Sequence, residues 1–87
     1  MFLVMLQYQN VERVDLLLTE HYENPDGPFA QGLVRMAGRL KPRTGGLMIL
    51  DGDPKSVQLA VASDPLLKSG AATATLTEFQ PTWPRPQ

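Results

Sequence analysis

A single histidine is the side chain in this sequence best suited to proton transfer. His21 is the only histidine among 87 residues. An imidazole can take up or release a proton near neutral pH without a cofactor, so it can act as a general base or acid. His21 lies at helical spacing between Leu18 and Tyr22, and we expect it to face the protein interior. A histidine on an apolar helix face can also be a purely structural residue, and the pattern leaves both interpretations open.

A second candidate, Asp64, has a clear structural role. It precedes Pro65, and an aspartate followed by proline is typical of a helix start, with the aspartate as N-cap. A carboxylate has two oxygens, so one can cap the helix while the other accepts a hydrogen bond from another side chain. Capping alone explains the residue, and a further role is a hypothesis.

Three other side chains are candidates for ligand binding. Alternation along residues 33–40 places Arg35 and Arg39 on one face of a predicted half-buried strand, opposite Val34, Met36 and Leu40. Two guanidinium groups on one face could hold a carboxylate or phenolate, although they could equally be solvated or ion-paired. Tyr22 could donate a hydrogen bond to a developing oxyanion, or simply pack.

Composition excludes several classes of function. A net charge of −1, with eight basic and nine acidic residues, gives no basic face for nucleic acid. The absence of cysteine excludes disulfides and thiolate chemistry, and a single histidine excludes a multi-histidine zinc site within one subunit. We therefore predict no metal and no cofactor. The apolar start, residues 1–6, is far shorter than the roughly twenty residues of a membrane span, which favours a buried strand in a cytoplasmic protein.

The remaining patterns predict the order β-α-β-β-α-β. Strands are expected at residues 2–8, 33–40, 47–50 and 71–79, with helices beginning after Asn10 and Asp53 and a further helical turn after Asp64. Asn24 to Pro28 ends the first helix in a turn, and a short helical turn ending at Gly32 follows. This order gives an α+β fold, a ferredoxin-like subunit with both helices on one face of an antiparallel sheet. Residues 1–80 form the predicted domain, and residues 81–87 an extended proline-rich tail.

The predicted sheet leaves one face without helices. A domain this small has a thin stability margin, so an uncovered apolar face is expected to meet a partner. We therefore predict a homodimer in which the two sheets pack face to face.

The order and spacing of several elements resemble the YciI-like family of dimeric α+β barrels, from Met1 to about Pro81. The carriers are the opening strand 2–6, His21 with Gly32 eleven residues later, Ala37-Gly38, Gly45-Gly46, Asp64-Pro65-Leu66 before Gly70, and Glu78-Phe79. The resemblance implies that His21 and the aspartate of an Asp-Pro-Phe-like motif, here Asp64, lie together in a cleft as a catalytic pair. The known example of activity in the family is a dehydrochlorinase acting on a chlorinated hydroxyquinol.

Three departures from the family pattern concern the pocket. The helix that carries His21 is interrupted at Asn24–Pro28, Arg39 stands where the family often has proline, and Leu66 replaces the usual phenylalanine. We expect the first to change one wall of the pocket, the second to add a charge, and the third to alter its shape.

Two functional hypotheses follow. The first is a cofactor-independent enzyme in which His21 and Asp64 transfer a proton during elimination or isomerisation of a small organic acid or phenol, with Tyr22 and Arg39 binding the substrate. The alternative is a non-catalytic dimeric module that holds a small metabolite in the same cleft.

Overall fold

A four-stranded antiparallel sheet carries a layer of helices on one face in the computed structural model, which describes residues 1–85. The strands lie in the order β2-β3-β1-β4. The elements are β1 (Phe2–Tyr8), α1 (Val11–Glu23), β2 (Val34–Arg39), β3 (Gly45–Leu50), α2 (Pro54–Ala62), α3 (Pro65–Lys68) and β4 (Ala72–Glu78). The α+β class and the ferredoxin-like order predicted from the sequence are confirmed.

The core lies between the two central strands and the helices. Alternate residues of β1 and β3 are buried on the helix side: Phe2, Val4, Leu6, Met48 and Leu50. The helices contribute Val14, Val57 and Leu66, each with no exposed surface. Burying one such side chain stabilises the fold by roughly 1.5–3 kcal/mol. This core fixes the positions of α1 and of the turn between α2 and α3.

Within residues 1–85, no helix covers the other face of the sheet. Leu3, Met5, Leu47 and Ile49 lie at its centre and are only partly buried, and Met36 is 67% exposed. This apolar surface is the face expected to form a dimer, and dimer formation stays a prediction.

Each helix begins at a residue that caps it. Asn10 Oδ1 accepts a hydrogen bond from Arg13 N–H at 3.0 Å, and Asp53 Oδ1 accepts one from Ser56 N–H at 3.2 Å. Asp64 caps α3 in the same way. All three helix starts predicted from the sequence are confirmed. Along α1, Val14 and His21 are buried whereas Val11 and Tyr22 are 42% and 53% exposed, so the expected inward position of His21 is confirmed.

The prediction for β2 was partly wrong. It is an edge strand with mostly exposed side chains, and its pairing with β3 is irregular between Val34 and Met36. Arg39 pairs with Gly46, which pairs with Leu6 on the helix side of the sheet. The bulge absorbs Arg35, so the simple alternation that placed Arg35 and Arg39 on one face, opposite Val34, does not apply.

The strand β3 begins two residues earlier than predicted, at Gly45. A Cβ atom on Gly45 would lie 1.9 Å from the carbonyl oxygen of Leu6. Glycine is therefore required where β3 approaches β1, and the Gly45-Gly46 pair belongs to the strand and not to the loop before it.

The chain between α1 and β2 forms a series of hydrogen-bonded turns. The predicted end of α1 is confirmed at Glu23, but the helical turn expected over residues 29–31 is not a helix. Gln31 N–H donates to the Gly27 carbonyl, and Gly32 has a φ of 73°. We call residues 24–32 the α1–β2 loop.

Beyond β4, residues 79–85 contain no helix or strand, and Trp83 is 80% exposed. Residues 86 and 87 of the predicted tail lie outside the described residues. None of the helices within residues 1–85 has the length and apolarity needed to cross a membrane.

Candidate functional site

The structure brings His21 and Asp64 into direct contact. His21 lies in the last turn of α1, and Asp64 lies between α2 and α3. The distance from His21 Nδ1 to Asp64 Oδ2 is 2.7 Å, and the two residues are only 6% and 2% exposed. A hydrogen bond to a charged group at this distance is among the stronger polar contacts in proteins. The hydrogen bond thus joins the end of α1 to the turn before α3, which lie 43 positions apart in the sequence.

Asp64 uses its two oxygens for two purposes. Oδ1 accepts the Leu66 N–H at 2.9 Å and caps α3, whereas Oδ2 binds the His21 ring. A carboxylate can only accept, so we expect Nδ1 of the ring to carry the hydrogen in this contact. The cap holds the carboxylate, and the carboxylate in turn fixes the orientation of the imidazole.

This arrangement leaves Nε2 of His21 as the ring atom available for chemistry. Nε2 makes no hydrogen bond within residues 1–85, yet it is not an enclosed polar atom. His21 contributes to the wall of an open cavity of about 380 Å³ between α1, the α1–β2 loop and the β2–β3 end of the sheet. A neutral ring protonated at Nδ1 presents a lone pair at Nε2, so this atom can accept a proton from a molecule in the cavity.

Two aromatic rings enclose the imidazole. The ring centres of Tyr22 and Phe29 lie 4.9 and 5.5 Å from that of His21, both in edge-to-face arrangements. Phe29 comes from the α1–β2 loop, so the interruption of α1 supplies this part of the wall. Sequence analysis missed Phe29, because its position depends on the path of an irregular loop and no periodic pattern indicates it.

Asn24 attaches the α1–β2 loop to the residue preceding Asp64. Its Nδ2 donates to the carbonyl oxygen of Ser63 at 3.0 Å and to Ser63 Oγ at 2.8 Å, while its Oδ1 accepts the Asp26 N–H at 3.1 Å. This second connection between α1 and the Asp64 turn runs beside the His21–Asp64 bond. It was also missed, since a turn-forming asparagine gives no indication of a distant partner.

We expect Asn24→Asp to destabilise the protein by about 1–2 kcal/mol, because the variant keeps the acceptor and loses both donated hydrogen bonds. Urea unfolding measures the change. Ser63→Ala removes the Oγ acceptor and the bond of that hydroxyl to the Ala60 carbonyl, but it keeps the Ser63 carbonyl as acceptor for Asn24 and is expected to cost less. Equal stability of Asn24→Asp and the wild type would show that the connection does not hold the loop.

Charged side chains surround the outer part of the cavity. Arg43 Nη2 donates to Asp15 Oδ1 at 2.5 Å, and the guanidinium carbon of Arg43 lies 5.7 Å from the centre of the Tyr8 ring. The hydrogen bond from Arg43 is the main reason why the pKa of Asp15 is lowered, and the positive charges of Arg43 and Arg39 lower it further. The same hydrogen bond raises the pKa of Arg43.

The Asp15–Arg43 pair is expected to make stability depend on acid pH. A carboxyl group whose folded-state pKa is lowered stabilises the fold fully above its ordinary value of 3.8, and that contribution is lost as pH falls below 3.8 through the lowered value. We therefore expect the stability difference between wild type and Asp15→Asn to shrink between about pH 6 and about pH 2. Thermal unfolding across this range measures it, and a difference independent of pH would contradict the pairing.

The structure separates the binding residues predicted from the sequence. Arg39 and Tyr22 both line the cavity. Arg35 instead forms an exposed pair with Asp51 at 3.4 Å, outside the cavity lining. Leu66 is buried in the core and lies outside the lining, and its expected effect on pocket shape stays a prediction.

The site's polar groups do not form a cluster typical of a bound metal. Across residues 1–85, no three carboxylate or imidazole groups lie close enough together to share an ion.

Comparison with known proteins supports the fold. No family model matches the sequence, and no curated protein matches it. One similar solved structure is 5-chloro-2-hydroxyhydroquinone dehydrochlorinase (TftG) from Burkholderia phenoliruptrix AC1100, in complex with 2,5-dihydroxybenzoquinone. The TM-score is 0.60 with 16% sequence identity, over 92% of this chain and 94% of that chain. The two proteins share the subunit fold along nearly their whole lengths.

Proposed function

We propose that this protein is a YciI-like, cofactor-independent enzyme that transfers a proton during elimination or isomerisation of a small organic acid or phenol. The observation that carries the proposal is the contact of His21 Nδ1 with a buried Asp64, in a residue that lines an open cavity and whose Nε2 makes no hydrogen bond within residues 1–85. A general base needs a fixed geometry and an available lone pair, and this pair supplies both.

In the proposed reaction, Nε2 of His21 removes a proton from a carbon or hydroxyl group of the substrate. The electron pair left behind either expels a leaving group or moves along a conjugated system, and His21 then returns the proton at another atom or releases it to water. Asp64 stabilises the imidazolium while the proton is on the ring. Tyr22 and Arg39, which line the same cavity, would stabilise negative charge on a substrate oxygen.

The structural neighbour makes this reaction class a reasonable choice. Its name describes a dehydrochlorination, and its ligand is a small dihydroxyquinone. At 16% identity the likeness extends to the fold alone. That this chain acts on phenols is therefore a proposal, which the fold likeness alone does not establish.

The proposal can be tested without knowing the substrate. The wild-type protein is incubated in D₂O with a panel of phenols and unsaturated acids that includes 5-chloro-2-hydroxyhydroquinone, and deuterium incorporation and chloride release are followed by NMR and ion chromatography. Proton abstraction at carbon predicts deuterium exchange even where no net reaction occurs. If panel members bind without deuterium exchange or turnover, the proposed catalytic function is wrong, and a non-catalytic binding module is favoured.

That alternative is a non-catalytic module that binds a small metabolite in the cavity. The α1–β2 loop favours it, because an irregular loop and not a continuous helix forms the wall beside His21. Catalytic groups need tightly positioned surroundings, and walls built on regular elements are more precise than walls built on loops.

We also propose that two copies of this chain associate through the open face of the sheet, and that the protein acts in the cytoplasm. The partly buried side chains of Leu3, Met5, Leu47 and Ile49 form the centre of that face. Light scattering at micromolar concentration is expected to give twice the 9.6 kDa chain mass, and Ile49→Glu is expected to give a monomer. A wild-type monomer at these concentrations would contradict the association.

A further inference from the structure

The outer end of the cavity carries two charged side chains, Asp15 and Arg43, that the proposed proton transfer does not use. Arg43 from the β2–β3 connection contacts Asp15 of α1, and both residues line the cavity together with Arg39. The Arg43 side chain is 31% exposed and that of Asp15 is 52% exposed. These groups are therefore accessible to a molecule that enters from solvent.

The charges of this outer end do not cancel. Two guanidinium groups and one carboxylate leave one positive charge at the mouth of the cavity. The other carboxylate of the site, Asp64, lies behind the His21 ring, where both of its oxygens already accept hydrogen bonds. The cavity thus has a basic outer end and an imidazole at its inner end.

The Asp15–Arg43 pair has the properties of an exchangeable contact. Exposed ion pairs are worth little, because solvent and salt screen them. A guanidinium can bind a carboxylate through two parallel hydrogen bonds, whereas Arg43 donates one to Asp15. A ligand carboxylate can therefore replace Asp15 at Arg43 at small cost. Arg39 provides a second positive charge, which Asp15 does not neutralise.

We infer that Arg39 and Arg43 form a carboxylate-binding end of the cavity, and that Asp15 occupies Arg43 until a carboxylate-bearing ligand displaces it. The ligand class is a small planar carboxylate whose ring packs against the wall that Tyr22 and Phe29 form together, and whose far end approaches His21. This inference rests on the proposed function in using the same cavity and the same Arg39, whose negatively charged partner is here the carboxylate of the ligand. It selects the acid from the organic acids and phenols proposed above.

The influence of Arg39 on Asp15 supports this arrangement. The charge of Arg39 contributes to the lowered pKa of Asp15, which places its guanidinium within electrostatic range of the same carboxylate. The strand register explains why Arg39 lies near Asp15. Arg39 pairs with Gly46, a residue without a side chain, on the helix side of the sheet. Arg35, in contrast, is directed to Asp51 and takes no part.

The test uses three probes that share one ring and differ in charge: benzoate, benzamide and benzylamine. NMR titrations of the full chain, read from backbone amides and the His21 ring, are expected to give benzoate at least about five-fold tighter binding than benzamide, and benzylamine the weakest. Arg39→Gln and Arg43→Gln are each expected to reduce this preference, and added salt is expected to reduce it as well.

The decisive variant is Asp15→Asn, which is expected to tighten benzoate binding about two- to five-fold by freeing Arg43. Asp51→Asn is the matched control, because it removes the same charge from a pair outside the cavity and is expected to leave benzoate binding unchanged. Equal effects of the two variants would mean that only net charge matters, and would overturn the inference. Absence of saturable benzoate shifts at about 50 mM, or equal binding of benzoate and benzamide, would also overturn it.

The outcomes separate this inference from the proposed function. His21→Asn is expected to retain the preference for benzoate, since His21 does not hold the carboxylate. Selective binding of benzoate without deuterium exchange in any tested compound would support the carboxylate site and contradict the proposed catalytic function. Deuterium exchange without selective binding of benzoate would support the catalytic function and contradict the carboxylate site.

Discussion

Replacing His21 by asparagine is expected to lower the rate of proton exchange or turnover by about 100- to 10,000-fold, the usual contribution of a general base. The side-chain amide of asparagine can place its nitrogen near the position of Nδ1 and still donate to Asp64. It has no group that takes up a proton near neutral pH. The variant therefore removes the chemistry of Nε2 while it preserves the contact at 2.7 Å.

The size of this effect separates catalysis from binding. Tyr22→Phe is the matched control, because it removes a hydroxyl group from the same cavity wall and is expected to cost much less than the loss of His21. Both variants are first compared with wild type by backbone NMR and urea unfolding, so that loss of fold is not mistaken for loss of activity. A folded His21→Asn protein that retains more than about a tenth of the wild-type rate would exclude His21 as the base.

Replacing Asp64 by alanine is expected to destabilise the protein by about 2–4 kcal/mol, the largest effect on folding that we predict at this site. The variant loses the cap of α3, which is worth about 1 kcal/mol. It also leaves the buried Nδ1–H of His21 without a partner, at a cost of about 1–3 kcal/mol. Native domains are typically stable by about 5–15 kcal/mol in total, so the expected loss on replacing Asp64 is a large fraction of that stability.

The chain contains its own control for this experiment. Asp53 also caps a helix and is also followed by proline, but it is exposed and touches no histidine. Asp53→Ala is expected to cost only about 1 kcal/mol, as a simple cap does. Asp53 Oδ2 also accepts a hydrogen bond from Ser56 Oγ at 3.0 Å, but that contact is exposed. The difference between the two variants in urea unfolding therefore measures how much more the buried bond to His21 contributes than this exposed bond. Equal losses would mean that Asp64 acts as a cap and nothing more.

The parts of the fold set by local chemistry could be predicted from the sequence. The first strand has the predicted bounds, Phe2–Tyr8, because a short apolar run in this setting fits a central strand. The helix starts at Asn10, Asp53 and Asp64 follow from the side-chain oxygens that accept backbone N–H groups. These caps, together with the spacing of His21 in α1, also place the two principal site residues on the correct elements.

The parts that depend on tertiary contacts could not be predicted. A bulge in β2 changes which side chains share a face, and nothing in the alternation of residues 33–40 indicates it. Phe29 and Asn24 reach the site from an irregular loop, and their partners are distant in the sequence. Asp15 and Arg43 resemble ordinary surface charges until the fold brings α1 beside the β2–β3 connection.

The dual use of Asp64 lies between these two cases. The cap is visible in the Asp-Pro dipeptide, whereas the bond to His21 came only from family resemblance. Burial of the pair is what distinguishes Asp64 from Asp53, and burial is not a property of the dipeptide. Two identical local motifs thus have different roles because of what the chain packs against them.

The most direct test of the His21–Asp64 pair is the tautomer of the imidazole ring, measured by long-range ¹H–¹⁵N NMR at a pH where the ring is neutral. The single histidine makes the assignment unambiguous in an untagged protein. We predict that the wild-type ring carries its hydrogen on Nδ1 and leaves Nε2 unprotonated, and that Asp64→Ala loses this preference. A wild-type ring protonated at Nε2 would contradict the proposed role of His21, because Nε2 would then have no lone pair to accept a proton.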